Sequence, residues 1–275
     1  MPLTLPKPTM NFGSAPPKLR AMQAVLLREF RAAFINRYFQ IFAVLSLLGG
    51  VSSAFFAEDR DATGFFIMQI ALYLVSLLAL LAGVSSAQAE QTEWQIMFAQ
   101  PVSRSTFVLS KFVAYLSIFA GVLVLLFVPA AVAGSNVKQI ATLYLQTLVL
   151  AGAFLALGLT CGFFAHDRAQ ALIAGVSAWL LLLFGIDLIA LFAGRWSAIQ
   201  NIPDVWLALL MLNPLDAFRV HALFALEQIP AEAANKTPLA NWWITHAALW
   251  FLIISAAWSF VATALATMRL NRWED

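Results

Sequence analysis

Ala87–Lys111 reads AQAEQTEWQIMFAQPVSRSTFVLSK, a polar interruption between two long apolar runs. Helical spacing over 89–100 puts Trp94, Met97 and Phe98 on one face at i, i+3 and i+4, with Glu90 and Glu93 beside them. Pro101 ends that helix by disfavouring helical geometry at Gln100. Ser103 or Ser105 then caps the next helix, and Arg104 and Lys111 put positive charge near its start. The stretch is too short for a domain. A short amphipathic rod held between two membrane-crossing runs has the form of a mechanical contact for something outside the bilayer.

Outward from this stretch the chain is apolar. Of its 275 residues 62% are hydrophobic and 11% charged, and the mean hydropathy is +0.83, whereas a soluble domain carries roughly 25% charged residues. That composition predicts an integral membrane protein. The net charge of +2 is too small for a nucleic-acid partner, and no Lys/Arg cluster is interleaved with aromatics. Cys161 is the single cysteine, which leaves no internal disulfide. Met1–Pro17 is proline-rich without an apolar core, so a flexible cytoplasmic N-terminus is expected and a cleavable signal is not. The apolar run that begins near Tyr38 is expected to serve as an uncleaved first span.

Six runs near 38–57, 64–88, 106–133, 139–164, 169–194 and 242–268 reach, or come close to, the ~20 residues that cross the hydrocarbon. The expected fold is an all-α membrane protein, one membrane domain over 38–268 with six transmembrane helices. With the N-terminus inside, the inner segments hold Lys7, Lys18, Arg20, Arg28, Arg31, Arg37, Arg104, Lys111, Arg168, Arg269 and Arg272. The outer segments hold Arg60, Lys138, Arg195, Arg219 and Lys236. This imbalance predicts both termini inside, including a cytoplasmic tail over 269–275. Residues 18–37 carry an apolar stripe opposite a basic face, the pattern of an amphipathic helix in the inner headgroup plane. Residues 195–241 contain two apolar stretches of ~10 residues broken at Asn213-Pro214, which predicts re-entrant or interfacial outer helices before the last span.

Candidate functional residues are few. The chain has no G-x-x-x-x-G-K-[ST] phosphate loop, so it is not expected to hydrolyse ATP unaided. His166, His221 and His246 lie in separate segments with no local partner, and no catalytic constellation or metal site assembles from local spacing. No enzyme activity, resident metal or cofactor is expected of this chain alone. Asp187 is the one acid well inside a span, a functional candidate that water or a neighbouring helix would also satisfy. In His166-Asp167-Arg168, either Asp167 caps the fifth span or the three residues form a second inner contact. Asn213, Pro214, Asp216 and Arg219 read as an outer gate or partner platform, with Asp216 and Arg219 placed to pair; a purely structural hairpin is the alternative. Gly158-x-x-x-Gly162 allows close helix approach but is common in any bundle.

Six spans, a basic leading helix, a rod after the second span and a broken outer segment before the sixth resemble the type-2 permeases of ATP-binding-cassette exporters. The most specific piece is Glu90–Lys111, where the acid, the amphipathic turn, Gln100-Pro101-Val102-Ser103-Arg104 and Lys111 follow that family's order. Within the family, the rod together with Leu212–Arg219, LNPLDAFR, is most similar to permeases of nitrous-oxide reductase maturation in denitrification. The resemblance implies a bacterial inner-membrane homodimer working with two cytoplasmic ATPase subunits, which bind ATP and Mg. Trp94, Met97 and Phe98 would then anchor the rod in a groove of the ATPase, with Glu90, Glu93, Pro101 and Arg104 around them. It further implies a periplasmic β-helix partner and a role in assembling a copper–sulfur centre. With so few metal ligands, passage of a sulfur species or transmission of force suits the chain better than passage of copper. The rival readings are a self-sufficient secondary transporter or channel, and a membrane scaffold for a periplasmic protein.

Overall fold

A computed structural model describes residues 17–55, 60–89, 103–133, 136–193, 203–226 and 238–272, and every regular element among them is helical. We number the helices α1 (Pro17–Ile35), α2 (Arg37–Ala54), α3 (60–88), α4 (Arg104–Val132), α5 (Val137–Phe164) and α6 (168–193). The shorter α7 (Pro203–Leu212), α8 (Pro214–Ala225) and α9 (Pro238–Thr245) then lead to α10 (Ala247–Asn271). Five helices, α3, α4, α5, α6 and α10, are long and apolar enough to cross a membrane. A sixth crossing follows if α1 and α2, bent by 67° to each other, count as one broken span. The bend sits at Asn36, whose extended backbone stops α1 and whose side chain accepts from the Tyr38 N–H to start α2.

The expected rod over 89–100 lies, from Glu90 onward, outside the described residues. Its two flanks are described. Ser103, rather than Ser105, caps α4 by accepting from the Thr106 N–H at 3.2 Å. The outer segment of the sequence resolves into α7 and α8, separated by Asn213, with Pro214 at the first position of α8.

Helix α5 is the centre: 67% of its most apolar window is buried, against 22% in α10 at the rim. Between helices in hydrocarbon there is no water to expel, so close packing and polar contacts hold the bundle. The closest approach is between α3 and α5. A Cβ on Gly158 would fall 2.1 Å from the Leu80 carbonyl oxygen, and one on Gly83 would fall 2.5 Å from that of Leu155. The common glycine spacing is here a backbone-to-backbone contact. Hydroxyl, phenol and indole groups add hydrogen bonds across helices. Tyr144 donates to the Ala120 carbonyl at 2.9 Å, Thr160 to that of Ala262 at 2.7 Å, and the Trp179 indole to the Ser76 hydroxyl at 2.9 Å.

Two spans contain π-helical turns that the sequence pattern does not announce, Ile70–Val75 in α3 and Leu181–Gly185 in α6. Each loosens the regular ladder and lets other groups take up the backbone. Ser76 donates back to the Leu72 carbonyl while accepting from Trp179, so the first π turn is pinned to α6.

The glycine contact makes a direct prediction. Gly158→Leu must push α3 and α5 apart, and should lower the thermal midpoint of the detergent-solubilised protein by the equivalent of about 3 kcal/mol. Gly121→Ala, with nothing within 4 Å of its Cβ, should leave the midpoint unchanged or slightly raised.

Candidate functional site

The helix ends divide into a basic end, with Asn36, Gln88, Ser103, Asp167 and Asn271, and an opposite end that carries α7 and α8. At the basic end both flanks of residues 90–102 are anchored. The Gln88 amide donates to the Gly162 carbonyl at 2.6 Å and to that of Ala165 at 3.4 Å, satisfying last-turn acceptors of α5. Arg104 donates to the Asn271 carbonyl at 3.0 Å, joining the start of α4 to the end of α10.

Two turns into α4, Lys111 is buried and its Nζ lies 2.6 Å from Glu29 of α1, which is 0% exposed. The ammonium also lies 5.3 Å from the Phe107 ring centroid and 5.9 Å from that of Tyr115. Sequence reading missed this pair. Its signal was present, since Glu29 is the single acid in the otherwise basic 18–37 and Lys111 falls within an apolar run. What the pattern lacks is the pairing, which depends on the bend at Asn36 laying α1 against α4.

Of the remaining basic-end candidates, Asp167 is a helix cap: it accepts from the Gln170 N–H at 2.7 Å, and Gln170 in turn accepts from the His166 N–H at 2.9 Å. His166 and Arg168 are exposed beside it. Glu90, Glu93, Trp94, Met97, Phe98 and Pro101 lie outside the described residues.

At the opposite end the structure brings together four residues that the sequence held in two groups. Arg219 bridges two carboxylates, Asp216 at 3.2 Å and Asp187 at 3.5 Å. Asn213 donates to Asp216 and to the Leu182 carbonyl, the latter at 2.6 Å, while its oxygen accepts from the Leu215 N–H at 3.1 Å. Leu182 belongs to the π turn of α6, so the irregular span supplies the acceptor that holds the break between α7 and α8. Trp250 and Trp258 of α10 donate to the Met211 and Leu212 carbonyls at 2.8 and 3.0 Å, closing the end of α7. The result is a short helical pair whose polar turn is clamped from α6 and α10.

Two carboxylates share one guanidinium here, and Asp216 is 4% exposed. Burial pushes its carboxyl up to about 6; Arg219 and the Asn213 hydrogen bond oppose the shift, and the Asp187 charge adds to it. Nearby His221 is held below its ordinary range by burial, with its Nε2 2.6 Å from the Gln146 amide of α5. The cluster suits a clasp that changes charge in mildly acidic conditions rather than a nucleophilic centre.

Comparison with protein-family models and with curated proteins returned no match.

Two outcomes follow from these clusters. Lys111→Met alone strands a buried carboxylate and should destabilise the fold by about 3–5 kcal/mol, whereas Glu29→Gln/Lys111→Met should recover most of that, as read by thermal unfolding. For Asp216, the folded carboxyl binds its proton near pH 6 and the unfolded one near 3.8. Its contribution to stability is therefore greatest below the lower value and is lost as pH rises through the higher one. Asp216→Asn should flatten the fall in thermal midpoint between about pH 4 and pH 7 relative to the parent protein.

Proposed function

We propose that the chain is the membrane-spanning subunit of an ATP-driven exporter or mechanotransmitter, working as a homodimer with a separate cytoplasmic ATPase. The observation that carries this reading is the anchoring of both flanks of residues 90–102. Gln88 ties the end of α3 to α5, Arg104 ties the start of α4 to α10, and Lys111 ties α4 to α1. A force applied to the intervening segment then reaches three other helices with little slack. A loop that merely connected two spans would need no such bracing. The helical spacing of Trp94, Met97 and Phe98 in the sequence would give a soluble partner a hydrophobic grip, and Glu90 and Glu93 suit a basic rim around it. Nucleotide binding in the partner would shift the bundle between two packings by its difference in affinity for them.

Within this reading the permease that the chain most resembles is NosY, of the nitrous-oxide reductase maturation system, through the 90–111 segment and LNPLDAFR. The clasp around Arg219 then faces the periplasm of a bacterial inner membrane. It becomes the outer gate or the platform for a β-helix partner, and the complex serves copper–sulfur centre assembly. The Asp187–Arg219 contact favours this over a self-sufficient transporter, because the intramembrane acid has a cation in reach and is not left for a passing ion.

The test is co-purification. The intact chain should bring down a soluble ATPase whose hydrolysis depends on lipid-embedded permease. Trp94→Ala/Phe98→Ala should lose the partner or that dependence while keeping the parent's thermal midpoint. Failure of the intact chain to retain any ATPase would overturn the exporter reading.

A further inference from the structure

Behind the bend between α1 and α2 lies a cavity of about 280 Å³, lined by Asn36, Arg37, Ser85, Lys111, Tyr115 and Arg168 among others. Five helices meet there: the end of α1, the start of α2, the end of α3, the first turns of α4 and the start of α6. None of the described residues lining it is acidic. Glu29 offsets Lys111 from behind, so the cations left over are Arg37 and Arg168, neither of which has a carboxylate in reach among the described residues. Asn36 turns its amide toward Ser85 at 3.4 Å, leaving hydroxyl and amide donors on the same wall. The N-terminus of the 18-residue α2 opens at this point and adds the positive end of its dipole.

Two unpaired guanidinium groups, neutral donors and a helix N-terminus around one small cavity form a receptor for a compact oxyanion. We propose that this cavity is a phosphate-ester site, seating the phosphodiester of an anionic phospholipid headgroup at the α1–α2 elbow. The site stands apart from the ATPase-coupling reading and does not depend on it. Its position supports a lipid source. The elbow lies where α2 begins on the flank of α4, and Ile41, Val44, Leu47 and Leu48 are exposed on the outward side of α2, a surface for acyl chains. On the topology expected from the basic residues, this end meets the leaflet where basic pockets between helices hold lipid headgroups. The bound group would brace α1 across α4 and α6.

The full-length protein, delipidated and returned to phosphatidylcholine nanodiscs with and without phosphatidylglycerol, gives the test by native mass spectrometry and thermal unfolding. The parent should retain about one phosphatidylglycerol per chain and unfold at a higher temperature with it. Arg37→Gln/Arg168→Gln should weaken that retention by roughly thirtyfold, and Arg168→Gln alone by roughly fivefold, at about one cationic contact each. Arg269→Gln/Arg272→Gln removes the same charge at the same end from a different groove and should change little. Sodium phosphate and glycerol 3-phosphate form the second arm. Stabilisation by either at millimolar concentration, lost in the same double variant, would keep the site and assign it to a soluble phosphate. Equal retention by the parent and the double variant, an equal loss in the Arg269/Arg272 control, or no preference over phosphatidylcholine would overturn it.

Discussion

The contact between the backbones of α3 and α5 is the constraint from which the rest of the bundle is built. In hydrocarbon, apolar side chains gain little by meeting one another, so two helices stay together only if they approach closely or share polar groups. Gly83 and Gly158 allow a separation at which a single methyl would collide with a carbonyl. That contact fixes α5 at the centre and makes α3 its main partner. The other helices are then referenced to this pair by discrete hydrogen bonds: Tyr144 to α4, Thr160 to α10, and Trp179 of α6 to Ser76 of α3.

The two ends of the bundle solve the same problem in different ways. Helix termini leave orphan carbonyls and N–H groups, which hydrocarbon does not forgive. At the basic end, long polar side chains reach across: Gln88 serves α5 and Arg104 serves α10. At the opposite end, irregular backbone is tolerated because it is buried in protein. Asn213 satisfies the Leu182 carbonyl of a π turn, and two tryptophans satisfy the last carbonyls of α7. Removing the polar groups would not only unpair charges; it would take hydrogen bonds from backbone carbonyls at the helix ends and the π turn.

Much of the architecture was legible because a membrane imposes a simple code. Five of the long apolar runs correspond to α3, α4, α5, α6 and α10 within a few residues, the run near 38–57 falls on α2, which reaches spanning length only together with α1, and the Asn213-Pro214 break falls where the sequence puts it. The Asp216–Arg219 pair was legible from its i, i+3 spacing. Asp187 joining that pair was not, since the contact crosses from α6 to α8 and depends on a π turn. Period-3.6 patterning cannot reveal one extra residue in a turn when every neighbour is apolar. Trp243 illustrates the same limit: it adjoins an identical residue in the chain, yet it is 3% exposed while Trp242 remains at the surface. The Glu29–Lys111 pair needed the 67° bend, and sequence gives the capping Asn36 but not the angle.

These contacts also limit how the bundle can move. The α3–α5 pair is bound at the basic end through Gln88, little more than a turn further in through Gly83 and Gly158, and through Ser76 and Trp179 to α6. Close-packed backbones do not slide past one another by small amounts, because each step drives a carbonyl into a Cα. A displacement introduced near Gln88 and Arg104 therefore travels as a rotation of whole helices, not as a local yielding. The two π turns are the natural places for that rotation to be absorbed, as their hydrogen bonds are already shared between the helix and side chains. One of them contains Leu182, whose carbonyl accepts from the Asn213 amide. The clasp at Arg219 is thus tied to α6 directly, through Leu182 in its weak turn and through Asp187, and by way of α6 and α3 to the rigid centre of the bundle.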